Sequence, residues 1–193
     1  MDPTPSKKES THKRIVNAAA RAIRRDGFAG VGVADVMKEA GLTHGGFYAH
    51  FESRESMLAE ALARAGSAGA ASLAKEIEGR RTHGASTLRA IVESYLSEAH
   101  LTGTERGCPV AALASEMPRQ SPELREASIQ RVQSLVETVR QGLPDPRDSA
   151  QAMVIVSTMV GALQLARVLG PNAKGKAMLA AARESLFAAH DPH

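Results

Sequence analysis

The chain has 193 residues, 43% hydrophobic and 23% charged, a balance too apolar for a disordered segment and sufficient for one large domain or two small ones. Its single cysteine excludes a disulfide framework and a cysteine-rich zinc module, and it suits a reducing compartment. The net charge of +3 conceals a basic front end, with Lys7, Lys8, Lys13, Arg14, Arg21, Arg24 and Arg25 set against only Asp2 and Glu9 in residues 1–25. Such a run fits either a polyanion-binding surface or a solvated face.

Residues 1–9 contain Pro3 and Pro5 without periodicity and lack the apolar core of a signal peptide, so a disordered basic tail on a cytoplasmic chain is expected. Ser10 then reads as an N-cap, and Ile15, Ala18, Ala19, Ala22 and Ile23 fall at helical spacing up to Gly27. Val33, Val36, Met37 and Ala40 form the apolar face of a second short helix that Gly41 ends. Thr43 leads into a third, with Phe47 and Phe51 four residues apart on one side; two short helices about a glycine turn make a helix-turn-helix candidate.

Ser53, flanked by Glu52 and Glu55, caps a long helix with a stripe of Met57, Leu58, Ala61, Leu62 and Ala65. Further helical patterns run from Leu88 to Ala99, from Val110 to Met117 and from Leu124 to Val139, separated by Gly84, Gly103, Gly107, Pro118 and the 142–146 turn. Two last helices span about 148–169 and 174–189. Between Ala150 and Ala166 no residue is charged, but Gln151, Ser157, Thr158 and Gln164 favour a helix covered by protein over a membrane span. No stretch alternates with period two. The expected fold is all-α with about nine helices: a tail at 1–9, a three-helix helix-turn-helix domain at 10–52, and a larger helical domain at 53–193.

The run Ala40, Gly41, Leu42, Thr43, His44, Gly45, Gly46, Phe47, Tyr48, Ala49, His50, Phe51, Glu52, Ser53, Arg54, Glu55 and Leu58 resembles the DNA-binding signature of the tetracycline-repressor (TetR) family. A short helix that enters a major groove needs small or polar groups outside and a few apolar anchors inside, and Phe47 and Phe51 suit the anchors. Thr43 reads as the cap of that helix, its hydroxyl alternatively free for a phosphate or base edge. Thr43, His44, Gly45, Gly46, Tyr48 and His50 are expected to lie outward, and the resemblance implies that Gly45 and Gly46 let the backbone approach the groove, that Tyr48 contacts phosphate, that His50 packs near it, and that Arg54 reaches the backbone. Residue types alone leave Tyr48 open as a core aromatic, His50 as a structural histidine and Arg54 as a surface charge. Lys7, Lys8, Arg14 and Lys38 would add attraction to DNA of any sequence. Two departures from the signature stand out. Gly46 replaces a frequent Thr and, with Gly45, weakens the helix by about 2 kcal/mol relative to alanines; Gly32 stands where a capping Thr or Ser is common.

A half-site reader of this size requires a second copy, and the resemblance implies a homodimer formed by 148–169 and 174–189, the alternative being an intramolecular core. The resemblance also implies a repressor released by a small-molecule effector. Four of the six aromatics lie in the reading head, which leaves a small or aliphatic effector in a pocket of Leu, Val and Met, with Tyr95, His100 and Met117 as candidate wall residues.

Cys108 lies at a helix N-cap before Pro109 and beside Arg106, where dipole and guanidinium favour thiolate; an inert packed cysteine is the other reading. The segment Gly107, Cys108, Pro109, Val110, followed by Ser115 and Glu116, resembles the electrophile- and oxidant-sensing branch of the family. No phosphate-binding loop, nucleophile elbow or paired metal ligands occur, so neither an enzyme nor a cofactor or metal is expected. The competing assignment is a helical protein-interaction module with a basic surface and no specific DNA site.

Overall fold

A computed structural model describes residues 6–191. Nine α-helices and two 3₁₀ turns make up the regular structure of these residues, and none of them is in a strand. The first helix, α1 (Lys7–Gly30), starts earlier than its periodicity suggests. Ser6 accepts the Glu9 amide and Glu9 accepts the Ser6 amide, so this reciprocal box, and not Ser10, caps it. Residues 7–9 of the expected tail are therefore helical, and residues 1–5 lie outside the described residues. Gly27, with φ 75° and ψ 171°, breaks the helix where a side-chain-bearing residue would be strained.

Helix α2 (Val33–Glu39) follows, with Gly32 at its N-cap supplying no side-chain bond, and Gly41 turns the chain at φ 69°. Residues His44–Ala49 form a 3₁₀ turn in place of an α-helix, in keeping with the two adjacent glycines. Ser53 caps α3 (Arg54–Arg81), the longest helix, which leaves the reading head and runs into the body.

In the body, α4 (Thr87–Tyr95) stops at Leu96, and Ser97 caps a separate short α5 (Glu98–Thr102) by accepting the His100 amide at 3.1 Å. The continuous helix expected through Ala99 is thus broken by a local cap. Helix α6 (Pro109–Leu113) is likewise shorter than the Val110–Met117 pattern, because Pro118 follows in a 3₁₀ turn. Helices α7 (Pro122–Gln141), α8 (Ser149–Leu169) and α9 (Ala173–His190) complete the chain, with Gly170 at φ 88° between the last two.

One apolar cluster runs through both parts. In the head it unites Ile15, Ile23, Phe28, Met37, Phe47 and Phe51 with Leu58 and Leu62 of α3; in the body it continues through Ile91, Leu96, Leu113, Ile155 and Leu163. Helix α8 buries Ile155, Met159, Leu163 and Ala166 on one side. It leaves Met153, Val154, Leu165 and Val168 open on the other, Val168 being 85% exposed.

Candidate nucleic-acid interface and body cavity

The recognition turn is built from behind. Phe47 and Phe51 are buried and stacked with centroids 5.4 Å apart, and His12 of α1 stacks on Phe51 at 4.6 Å. Large rings on one side force the remaining residues outward. Thr43, His44 and Gly45 are exposed, Gly46 is half-buried, and a Cβ added to Gly45 would meet nothing within 4 Å. Tyr48 is 75% exposed and rests edge-on against Phe47, so it is no core aromatic. Thr43 occupies the N-cap position but makes no capping bond, which corrects its expected capping role and leaves its hydroxyl free.

The other head residues divide. His50 is half-buried, with an unpartnered buried Nδ1, and burial, with His12 and Lys8 nearby, lowers its pKa below the ordinary histidine value. Arg54 is drawn inward: Nε donates to the Val31 carbonyl at 3.0 Å and Nη2 to that of Phe28, tying α3 to the end of α1. Arg14 is exposed but donates to the Ala40 carbonyl at 2.5 Å, at the end of α2. Lys7, Lys8 and Lys38 are exposed on α1 and α2.

In the body, a cavity of about 420 Å³ lies among α3, α4, α7 and the 97–110 segment. Cys108, Tyr95 and His100 stand on its wall, as the sequence suggests; Met117 does not and is buried elsewhere. The expected Leu, Val and Met lining is met in part. Leu73, Val110 and Leu135 contribute apolar surface and no methionine does, while serine and threonine hydroxyls with Glu76, Arg106 and Arg131 set polar groups into a wall that stays mostly apolar. Gly66 of α3 permits this approach, since a Cβ there would strike the Arg131 side chain.

His100 organises the cysteine loop. One ring nitrogen bonds the Tyr95 carbonyl at 2.7 Å, and the other accepts the Cys108 amide at 2.9 Å, which requires the neutral imidazole with its proton on Nδ1. Burial accordingly pushes His100 down to about 4. Both nitrogens are engaged, so His100 positions the loop. Cys108 is half-buried at the N-cap of α6 with Pro109 at the first helical position, but a five-residue helix offers little dipole.

Two further residues, absent from the candidate sites, join the body to the head. Arg24 of α1 donates to the Gly107 carbonyl at 3.2 Å, and Glu116 accepts the Phe28 amide at 2.9 Å beside the Gly27 break. Glu116 belongs to the segment whose resemblance drew attention to Cys108, and that was its only signal.

A short exposed turn moored on an aromatic core, ahead of a larger helical body, is the architecture of a helix-turn-helix regulator. Residues 15–61 match the family described as bacterial regulatory proteins, tetR family, and residues 84–184 match the C-terminal domain described as transcriptional regulator LmrA/YxaF-like. An uncharacterised HTH-type transcriptional regulator of Mycobacterium tuberculosis is 30% identical over 171 residues, covering 83% of this chain and 86% of that protein. A TetR transcriptional regulator from Chloroflexus aurantiacus superposes with a TM-score of 0.78 at 28% identity, covering 95% and 97% of the two chains. The reduced form of Escherichia coli NemR shares the fold at a TM-score of 0.74 and 20% identity, over 93% and 97%. The chain belongs to the TetR family of helix-turn-helix transcriptional regulators, whose members bind operator DNA and form homodimers.

Proposed function

We propose that the protein is a repressor that sits on a two-fold operator as a homodimer and leaves it when its body takes a small effector or when Cys108 is modified. The reading head spans 10–52 and the regulatory body 53–193, in a cytoplasmic protein without catalysis. The observation that carries this reading is the strip from Thr43 to His50, which turns small and polar groups outward while Phe47 and Phe51 are sealed beneath it. Thr43, His44, Gly45 and Gly46 enter the major groove, and Tyr48 and His50 meet the backbone. Lys7, Lys8, Arg14 and Lys38 add attraction that falls with salt. Arg54 acts mainly by holding α3 against the head, since two of its donors are already engaged.

The open apolar face of α8, continued by α9, supports pairing through 148–169 and 174–189: Met153, Val154, Leu165 and Val168 are each more than half exposed, and a neighbouring apolar surface would cover them. The cavity's mostly apolar wall, with a few hydroxyls and charges set into it, suits a small effector with an apolar body and a polar group.

Footprinting upstream of the protein's own gene and its divergent neighbour tests the reading. A symmetric protected site that survives competitor DNA at moderate salt is expected; a basic interaction module would protect none. On that site Cys108→Ser is expected to bind as the parent does and to resist release by N-ethylmaleimide or hypochlorite. Equal release of both proteins removes the thiol from the mechanism.

A further inference from the structure

The cavity wall holds a buried hydroxyl beside the thiol. Tyr95 is 2% exposed and lines the cavity with Cys108; its hydroxyl faces the Cys108 thiol and has no nitrogen or oxygen partner among the described residues. Natural proteins rarely leave such a group unsatisfied without a use for it. Two guanidiniums flank the same loop. Arg24 donates to the Gly107 carbonyl at 3.2 Å and Arg167 to the His100 carbonyl at 2.9 Å, and the buried Nε of each is unpartnered. Among the described residues neither forms an ion pair with a carboxylate. A buried hydroxyl beside the thiol and two guanidiniums on its loop, both coupled to it electrostatically and without an anion, are the complement of a negatively charged oxygen on that sulfur.

We propose that Cys108 is oxidised by a peroxide to a sulfenate, and that the Tyr95 hydroxyl holds the new oxygen in the field of Arg24 and Arg167. The proposal rests on the reading of Cys108 as the responsive thiol and names the product on which that response stops. The thiol gives its proton to solvent, and a sulfur lone pair attacks one peroxide oxygen. The S–O bond forms as the O–O bond breaks, and the departing hydroxide takes up a proton to become water. Sulfur is oxidised by two electrons and the peroxide reduced by two. The sulfenic acid then releases its proton, and its oxygen accepts the Tyr95 O–H. Burial holds this phenol well above the ordinary tyrosine value, so it remains a donor. The chain has no second cysteine to condense with the product.

The test treats the full-length protein with one equivalent of hydrogen peroxide and follows intact mass and dimedone capture. The parent is expected to gain one oxygen and to keep a dimedone-reactive sulfenate roughly tenfold longer than Tyr95→Phe, which passes on to the sulfinic and sulfonic acids. Tyr95→Phe removes a hydroxyl without a nitrogen or oxygen partner, and its melting curve checks that it folds. A second measurement needs no variant: the parent unfolded in urea should over-oxidise roughly tenfold faster than the folded parent. Equal lifetimes in either comparison overturn the proposal. Operator binding on the same samples separates it from thiol sensing. Release by N-ethylmaleimide without a retained sulfenate overturns the oxygen site and leaves sensing intact; a retained sulfenate on protein that stays bound supports the site and removes sensing.

Discussion

Helix α3 is one continuous helix packed in two different ways. Its first three turns put Met57, Leu58, Ala61, Leu62 and Ala65 into the head's core, each 0% exposed. From Gly66 onward the same helix presents Gly66, Gly69 and a half-buried Leu73 to the cavity, with Ala70 and Ser72 exposed. The head is a filled, aromatic-backed core, as befits a part that must hold a geometry on DNA. The body keeps space and hydroxyls next to its core, which suits a part that changes when something binds.

Leu62→Ala and Leu73→Ala put that contrast to the sharpest test, since they make the same change on one helix. Leu62→Ala should cost about 3 kcal/mol in denaturant unfolding and Leu73→Ala under about 1 kcal/mol, because only the first leaves a sealed cavity. Equal costs would mean that the two halves are packed alike.

Acid should also act on the body. His100 titrates at about 4 in the folded protein against an ordinary value of 6.5. A histidine lowered in this way contributes its full stability above pH 6.5 and loses it as pH falls toward 4. The loss approaches about 3 kcal/mol, since each tenfold change in proton affinity is worth about 1.4 kcal/mol. Unfolding at a series of pH values should show this slope in the parent and a shallower one in His100→Asn.

Leu165→Asp, on the open face of α8, should leave the fold of each subunit intact and weaken self-association by about 2 kcal/mol per subunit, read by sedimentation. Smallest in effect is Tyr48→Ala. It should change stability by less than about 0.5 kcal/mol, as an exposed site does, while lowering operator affinity roughly tenfold, near 1.4 kcal/mol. Loss of stability with unchanged affinity would reverse the assignment of that strip.

The reading head was legible because its signals are local. Glycine at a left-handed turn, serine at a cap and phenylalanines four apart each act within a few residues, and the N-terminal signature preserves them in one run. Even there two serines compete for the first cap, and Ser6 wins over Ser10 because Glu9 completes a reciprocal box with it one turn earlier. The body was less legible because its decisive contacts are remote. Nothing near residue 24 foretells a bond to Gly107, and nothing near Gly66 foretells Arg131 lying across it. The break between α4 and α5 was hidden for another reason: the apolar spacing continues from Leu96 to Ala99 while Ser97 redirects the backbone.

The bond from Arg24 to Gly107 places a residue of the DNA-reading unit on the carbonyl next to Cys108. Linkage between two binding sites has no preferred direction: whatever factor an effector takes from the affinity for the operator, the operator must take from the affinity for the effector. A molecule of the regulator already seated on a promoter is therefore less receptive to the signal than one free in the cell, and the unbound pool responds first as the signal rises.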